Sequence, residues 1–92
     1  MIKLEPKLRR TRRTPIYNIG AASRLTGLPV WRLRWLERQE CLRPNRTGGN
    51  QRLYSDADVE EALAIAELLA QGVNLAGVRI ILKIRRNGGN AP

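Results

Sequence analysis

The chain has 92 residues with 17 Lys plus Arg against 8 Asp plus Glu, which gives a formal net charge of +9 and a sequence pI near 11.3. A chain this short forms one domain with a small core. It has neither the roughly 20 consecutive apolar residues of a membrane-spanning helix nor the apolar segment of a secretory signal. The single Cys41 excludes an intramolecular disulfide and, with no histidine in the chain, argues against a zinc site, so a cytoplasmic protein without metal or cofactor is expected.

Residues 1–14 read as a flexible basic arm. Six lysines and arginines lie there among scattered apolar residues, and Pro6 and Pro15 interrupt any long helix. Two interpretations remain open for this arm. It is either a solvated segment that aids solubility, or an arm that lies along phosphates or in a minor groove.

The chain next has the pattern of a helix-turn-helix. Tyr17 and Ile19 predict a brief strand, and the small, Ala-rich residues 20–26 predict a tightly packed helix. Gly27 ends that helix, because glycine readily adopts the left-handed backbone that closes a helix. Pro29 then suits the first turn of a second helix, since its missing N–H would have no partner there.

The second predicted helix has an apolar face and a basic face. Val30, Leu33 and Leu36 follow one another at spacings of three and predict the face that packs inward. The flanks and outer face hold Trp31, Arg32, Arg34, Arg38 and, with its orientation left open, Trp35. An arginine-rich second helix of this kind is typical of helix-turn-helix proteins, in which it enters a major groove. A plain helical hairpin with a solvated cationic face is the alternative.

A hairpin is predicted after the second helix. Residues 42–44 and 51–54 have strand character, and Gly48-Gly49-Asn50 between them is turn chemistry because these residues adopt a positive φ at little cost. A hairpin after a helix-turn-helix is a wing. Arg46 and Arg52 flank its turn, where they can contact the sugar-phosphate backbone or the neighbouring minor groove. The glycine pair does not indicate a nucleotide-binding loop, because the Walker lysine is missing.

Residues 55–72 predict a third helix that carries the core. Ser55 is its N-cap, Asp58 completes a capping box, and Gly72 closes it. The apolar side chains that recur at helical spacing are Val59, Ala62, Leu63, Ala66, Leu69 and Ala70. Five acidic side chains share the segment. Without another polar partner they indicate a solvated face rather than general acid and base catalysis, so no enzyme activity is expected.

Asn74 predicts the cap of a fourth helix. Its inward side chains are Leu75, Val78, Ile81 and Leu82, and its outward ones are Arg79, Lys83, Arg85 and Arg86. Residues 87–92 read as a frayed, flexible end. The predicted domain therefore covers residues 15–86 and is mainly α, a winged helix-turn-helix with about four helices and a small β-hairpin wing.

Charge is segregated along the chain. Residues 1–54 hold 13 basic and 3 acidic side chains, residues 55–76 hold 5 acidic and no basic ones, and residues 77–92 hold 4 basic ones. A basic face attracts phosphate through counterion release, which gives sequence-independent and salt-sensitive affinity. Double-stranded DNA is therefore the expected partner, and a nucleoid-associated location would follow.

Three motifs carry a family resemblance. Arg-Leu-Arg-Trp-Leu-Glu at residues 32–37 is similar to the Thr-Leu-Arg-Tyr-Tyr-Glu core of one family's recognition helix, and the stretch 46–55, with Arg-Thr-Gly-Gly, Arg52 and Tyr-Ser, is similar to its wing signature. Gly-Val-Asn-Leu-Ala-Gly-Val-Arg at residues 72–79 is similar to Gly-Ile-Asn-Leu-Ala-Gly-Ile-Lys. On these motifs, residues 17–84 resemble the DNA-binding domain of the MerR superfamily of bacterial transcription regulators, nearest to the HspR-type heat-shock repressors.

The resemblance implies a role for each matching residue. It places Trp31, Arg32 and Arg34 on the recognition helix, with both arginines facing guanine edges or flanking phosphates, and Arg46 and Arg52 on the wing. A bidentate arginine to guanine contributes roughly 1–3 kcal/mol of discrimination. The full set of expected DNA-binding residues is Ser23, Arg24, Trp31, Arg32, Arg34, Arg38, Arg46, Gly49, Asn50, Gln51, Arg52, Tyr54, Arg79 and Lys83.

Some of these roles have an alternative. The resemblance makes Tyr54 a phosphate contact, but Tyr54 and Trp35 are equally interpretable as core aromatics with a polar edge. Arg79 and Lys83 would belong to the family's second wing-like region, the helix pair after the hairpin.

The chain also departs from the family pattern. Glu40 and Cys41 replace the usual Gly-Leu after the recognition helix, so a different helix end is expected, with Cys41 as a small buried apolar group. Arg32 stands where threonine is common and Leu53 where arginine is common, so the family's target sequence does not transfer. Only a few residues follow Ile84, where the family continues into a long dimerisation helix and an effector domain.

These observations predict a sequence-specific DNA-binding transcription regulator of MerR/HspR type. The alternatives are an excisionase-like architectural factor of site-specific recombination and a protein-interaction module that uses the acidic third helix. Binding as a monomer, in arrays, or beside another regulator or a chaperone stays open, as does the reading of the chain as a fragment. No small-molecule effector is evident, since a drug sensor needs a pocket domain.

Overall fold

The computed structural model describes residues 10–88, which form four helices and one two-stranded hairpin. The elements in chain order are α1 (Ile19–Thr26), α2 (Val30–Arg38), β1 (Asn45–Arg46), β2 (Arg52–Leu53), α3 (Asp56–Ala70) and α4 (Leu75–Gly88). The two strands pair antiparallel, with Asn45 opposite Leu53 and Arg46 opposite Arg52. The predicted mainly α, winged helix-turn-helix order is confirmed.

One small core joins all four helices. Leu33 and Leu36 of α2, Ile65 of α3 and Val78 of α4 are fully buried, and Ala22 of α1 lies with them. The predicted inward face of α2 is thus confirmed at Leu33 and Leu36, whereas Val30 is only half-buried. Because few side chains make up the core, each large one shields its neighbours from water. Substitutions that change the volume of a core side chain are therefore expected to lower the free energy of unfolding strongly.

The segment between α2 and β1 belongs to this core. Cys41 and Leu42 are both 1% exposed, which confirms Cys41 as a small buried group, and burial raises the pKa of its thiol. The predicted strand at residues 42–44 is wrong, since β1 begins only at Asn45. Pro44 has no N–H to donate to a strand ladder, and the Leu42 side chain is committed to the core.

The start of α1 also differs from the prediction. Ile19 is the first residue of α1 rather than part of a strand, because the Asn18 side chain caps the helix by accepting a hydrogen bond from the Ala21 N–H at 2.8 Å. Tyr17 alone forms a single β-bridge, with Tyr54.

The turn between α1 and α2 is close to the prediction. Gly27 ends α1 in the left-handed region with φ of 74°, as predicted. Pro29 is the N-cap of α2 rather than its first helical residue. Of the three hairpin residues predicted to accept a positive φ, Asn50 does so, with φ of 67°, and Gly48 and Gly49 do not.

Helix α3 begins as predicted and buries a narrower face than predicted. Ser55 and Asp58 form the capping box: the Asp58 N–H donates to the Ser55 hydroxyl at 3.0 Å, and the Ser55 N–H donates to the Asp58 carboxylate at 2.9 Å. Leu63 is 43% exposed and Ala70 is exposed, so both were wrongly assigned to the core. The buried row of α3 runs through Ile65 instead, and Leu63 lies at its margin.

Helix α2 ends in a Schellman motif that a non-glycine residue closes. The Glu40 N–H donates to the Glu37 carbonyl and the Cys41 N–H donates to the Leu36 carbonyl, both at 2.9 Å. Glu40 itself adopts φ of 61°. The expectation that the loss of the usual glycine would change the helix end is therefore wrong, because Glu40 adopts the left-handed backbone that a glycine normally supplies.

Helix α3 ends in the same motif with a glycine. The Gly72 N–H donates to the Leu69 carbonyl and the Val73 N–H donates to the Leu68 carbonyl, both at 3.0 Å. Gly72 has φ of 90°, which confirms its predicted role. Since glycine adopts this region at no steric cost and glutamate does not, the end of α2 is the more strained of the two.

The last residues of the predicted arm lie against α3. The Arg10 guanidinium pairs with the Asp56 carboxylate at 2.7 Å, and Arg12 pairs with Glu60 at 3.0 Å. Tyr17 completes the cluster by donating its hydroxyl to Asp56 at 2.7 Å. Residues 1–9 of the arm and 89–92 of the predicted tail lie outside the described residues, whereas residues 87 and 88 continue α4.

Candidate nucleic-acid interface

A groove of ≈ 500 Å³ runs between the start of α1, the outer face of α2 and the hairpin turn. Arginines from three different elements converge on it, and no acidic side chain lines it. The lining residues are Asn18, Ile19, Gly20, Arg24, Arg34, Asn50, Gln51 and Arg52. A cationic concavity beside a helix N-terminus suits an anion, because the helix presents backbone N–H groups and a positive dipole end there.

The groove brings together five of the residues predicted from sequence: Arg24, Arg34, Asn50, Gln51 and Arg52. Arg24 and Arg34 are exposed and form no ion pair or hydrogen bond within residues 10–88, so their donors are available to a ligand. Sequence reasoning missed the three lining residues at the start of α1. Asn18 was a readable N-cap signal, but the strand predicted at residues 17–19 concealed it.

Glu37 of α2 holds both wing arginines. Its carboxylate accepts from Arg52 Nε at 2.5 Å and from Arg46 Nη2 at 3.0 Å, and Arg46 Nη1 also donates to the Asn50 carbonyl at 3.1 Å. The Glu37 side chain is only 20% exposed and that of Arg52 21%, so this pair is partly shielded from water. The contact fixes the hairpin relative to α2 and neutralises part of the wing charge.

The outer face of α2 carries the predicted aromatic and basic side chains. Trp31 is 60% exposed, and Arg34 and Arg38 are exposed as well. Trp35 is partly buried and packs against the core, which settles the orientation that the sequence left open. Arg32 lies over the rings of both tryptophans.

Two of the predicted DNA contacts, Tyr54 and Ser23, make contacts inside the domain itself. Tyr54 is 1% exposed, and its buried hydroxyl has no hydrogen-bond partner within residues 10–88, which contradicts a direct phosphate contact and favours the core aromatic. This burial raises the pKa of the Tyr54 hydroxyl. Ser23 donates its hydroxyl to the Leu28 carbonyl at 2.6 Å and so braces the turn between α1 and α2. Gly49 lies exposed at the hairpin turn.

The predicted contacts on α4 lie apart from the groove. Arg79 donates to the Gln39 carbonyl from Nη2 at 2.9 Å and from Nε at 3.2 Å, and its Nη2 lies 2.9 Å from Gln39 Oε1. Gln39 is the C-cap of α2, so Arg79 supplies a cation to the negative end of that helix. Lys83 is exposed on α4. DNA contacts by these two residues stay predictions.

Within residues 10–88 there is no group of three or more His, Cys, Asp and Glu side chains placed to hold a metal ion. In the same part of the chain, no helix combines the length and apolar character needed to cross a membrane.

The sequence model of one family, described as MerR HTH family regulatory protein, matches residues 17–84. The chain belongs to the MerR family. It is 40% identical over 76 residues to the HTH-type transcriptional regulator GlnR of Bacillus anthracis, a match that covers 83% of this chain and 59% of GlnR. It is 37% identical over 75 residues to HspR of Streptomyces coelicolor, with 80% of this chain and 50% of HspR covered. The MerR resemblance and its HspR neighbour are thereby confirmed.

A solved MerR structure shares the fold. The protein is HiNmlR, described as a MerR family regulator lacking the sensor domain and bound to promoter DNA. It superposes with a TM-score of 0.74 at 19% sequence identity, over 78% of this chain and 55% of HiNmlR. This MerR-family chain thus spans about half to three fifths of the length of these relatives.

Proposed function

We propose that this chain is a sequence-specific double-stranded DNA-binding transcription regulator, with α2 in the major groove and the hairpin on the backbone or in the neighbouring minor groove. The observation that carries the proposal is the groove in which Arg24, Arg34 and Arg52 converge, with no acidic residue among its lining side chains and with Arg24 and Arg34 unpaired within residues 10–88. A phosphate in this groove would meet guanidinium donors on several sides and the start of α1 on another. Such charge-assisted hydrogen bonds are the strong ones in phosphate recognition.

The exposed face of α2 supports the assignment of this helix to the major groove and of the hairpin to the backbone or minor groove. Trp31, Arg34 and Arg38 project from a single short helix, and a helix of this diameter fits a major groove. Gln51 and Asn50 at the hairpin turn add amide groups beside the arginines. Because Glu37 fixes the hairpin against α2, the two elements are set in one orientation before any DNA arrives.

The relatives support the same class of function. GlnR is named as a transcriptional regulator, and HiNmlR is described as bound to promoter DNA. By analogy, the promoter is the proposed target class of this chain. Location on the nucleoid follows from DNA binding and belongs to the same proposal.

The acidic third helix offers less for the protein-interaction alternative. Asp56 and Glu60 are occupied by Arg10 and Arg12, and Glu61 pairs with Arg86 at 2.7 Å. The excisionase-like alternative shares the fold and differs in what the bound DNA does. Footprinting on the chain's own upstream region and on attachment sites separates the two: protection over a promoter supports regulation, and protection only at an attachment site contradicts it.

Fluorescence anisotropy with random duplex DNA at two salt concentrations tests the DNA-binding proposal itself. We expect binding at low salt that weakens steeply as salt rises, because each phosphate contact adds about 0.9 to the slope of log K against log salt. Arg24→Ala should weaken binding more than Arg85→Ala. The latter removes the same charge from an exposed arginine of α4 that lies outside the groove. No binding at low salt, or equal losses in the two variants, would contradict the proposal.

A further inference from the structure

The guanidinium group of Arg32 is held by two aromatic neighbours. Its central carbon lies 4.8 Å from the ring centroid of Trp31 and 5.4 Å from that of Trp35, within cation–π distance of both. Trp35 packs against the core and provides a fixed surface, whereas Trp31 is 60% exposed at the outer face of α2. Arg32 therefore has less rotational freedom than a free surface arginine.

Only the Nη groups of Arg32 are available for hydrogen bonding to a ligand. Arg32 Nε is buried and has no hydrogen-bond partner, and the only other side-chain atom of this kind within residues 10–88 is the Tyr54 hydroxyl. The two Nη groups are not buried in this way, and Arg32 forms no hydrogen bond within the described residues. A ligand can therefore be bound end-on through the Nη pair, but not side-on through Nε.

Two parallel donors at a fixed spacing fit one base edge in the major groove. Guanine presents the adjacent acceptors N7 and O6, whereas adenine pairs its N7 acceptor with an N6 donor, thymine offers the single acceptor O4, and cytosine offers the N4 donor. Resting on the proposed function, we propose that Arg32, positioned by Trp31 and Trp35, selects one guanine in the DNA site that α2 contacts.

Neighbouring arginines provide matched comparisons. Arg34 and Arg38 lie on the same helix and are exposed, and neither has an aromatic ring contact or a hydrogen bond within residues 10–88. Arg38→Lys thus makes the same chemical change as Arg32→Lys at a side chain without aromatic support. Both variants retain the positive charge, so attraction to phosphate is preserved while the planar fork is lost.

The test begins with selection of bound sequences from a randomised duplex library by the wild-type chain. Anisotropy is then measured for the wild type, Arg32→Lys and Arg38→Lys on the selected site, on that site with each guanine changed in turn to adenine or to 7-deazaguanine, and on random duplex. For the wild type we expect one guanine at which the change to adenine weakens binding roughly 5- to 150-fold, and at which loss of N7 alone also weakens it. In Arg32→Lys this preference should be lost at that position only, with unchanged affinity for random duplex.

Trp31 is tested as a positioning residue with the same duplexes. Trp31→Ala should reduce discrimination at the guanine that Arg32 contacts, and Trp31→Phe, which retains an aromatic face, should restore most of it. Circular dichroism melting confirms that each variant is folded.

Several outcomes would overturn the inference. One is unchanged guanine preference at every position in Arg32→Lys. Another is the same loss in Arg38→Lys, and a third is a 7-deazaguanine effect that persists undiminished in Arg32→Lys. A wild type that fails to bind any duplex at low salt would instead contradict the proposed function as a whole, so the two failures are distinguishable.

Discussion

The Glu37 carboxylate of α2 accepts a hydrogen bond of 2.5 Å from Arg52 Nε of β2, which joins α2 to the hairpin. The same carboxylate also binds Arg46 across the hairpin at 3.0 Å. Two strands of two residues each cannot hold a fixed orientation by their own ladder. The hairpin is therefore held by contacts outside its own ladder, which are the Glu37 side chain and the buried Tyr54 that follows β2.

Glu37→Gln should have opposite effects on two kinds of DNA. It removes a negative charge, so affinity for random duplex should rise slightly, but it also releases both wing arginines from their anchor. We expect the ratio of selected-site to random-duplex affinity to fall, measured by anisotropy at one fixed salt concentration. The free energy of unfolding should fall by about 1–2 kcal/mol, between the values for exposed and for buried ion pairs.

Glu40→Gln is the matched control for this change. It removes the same charge two residues beyond α2, from an exposed side chain that forms no ion pair within the described residues. If Glu40→Gln lowered the affinity ratio as much as Glu37→Gln, the anchoring role of Glu37 would be wrong.

Arg34→Ala should weaken binding to the selected site much more than binding to random duplex. Arg34 lies on the exposed face of α2 and lines the groove without an intramolecular partner, so its donors are free for a base edge or a flanking phosphate. Anisotropy on the two duplexes separates these roles. Equal losses on both would show that Arg34 contacts phosphate only.

Arg52→Ala should behave in the opposite way. Its loss should weaken binding to both selected and random duplex and reduce the salt slope by up to about 0.9; because Glu37 keeps its second wing partner, Arg46, most of the loss should be common to the two duplexes. A salt titration with both duplexes measures this directly, and an unchanged slope would argue against the assignment of the hairpin as a wing.

Glu40→Gly should stabilise the chain. Glu40 adopts φ of 61° in a motif where α3 uses Gly72, and a non-glycine residue there costs roughly 1–2 kcal/mol. The greater freedom of glycine in the unfolded chain offsets part of this gain, so we expect a net increase of about 0.5–1 kcal/mol in the free energy of unfolding, measured by urea titration. In the reverse direction, Gly72→Ala should destabilise by a similar amount. A lower urea midpoint for Glu40→Gly would refute the strain.

Asp56 should make stability depend on pH. Its hydrogen bond from Arg10, and after that the one from Tyr17, hold the pKa of the Asp56 carboxyl below its ordinary value. A carboxyl whose pKa is lowered by folding stabilises the native state above the unfolded pKa of about 3.9, and this contribution is lost as pH falls through the folded value. Melting curves of wild type and Asp56→Asn should therefore differ near neutral pH and converge in acid. Glu67→Gln, on the same helix and without an arginine partner in the described part of the chain, should show a smaller difference at neutral pH.

The sequence predicted the elements better than their ends. Caps with a clear chemical signature, Gly27, Ser55 and Gly72, lie where they were predicted, because one residue type suits each backbone conformation. The strand predicted at residues 42–44 was wrong because Leu42 packs into the core instead of pairing with the second strand. The left-handed backbone at the end of α2 was not predicted, because it is adopted by Glu40 and glutamate rarely takes this conformation.

The residues of the candidate site could be predicted from the sequence, but the ion pairs that connect them could not. Periodicity placed the arginines of α2 outward, and turn chemistry placed Arg52 beside the hairpin. Sequence distance gave no sign that Glu37 would bind two wing arginines or that Asp56 would bind Arg10, 46 residues away. Such pairs depend on how the elements pack, and Tyr54 shows the same limit, since only packing decides whether its hydroxyl meets solvent.

The contact between Arg79 of α4 and Gln39 at the end of α2 links two distant parts of the fold. A ligand of α4 whose affinity depends on whether Arg79 contacts Gln39 shifts the equilibrium of that contact. The stability of the last turn of α2 then changes with it. By reciprocity, DNA held on α2 changes the affinity of α4 for that partner equally. The contact between Arg79 and Gln39 is thus a point in the fold through which a ligand of α4 and DNA on α2 can each change the affinity of the other.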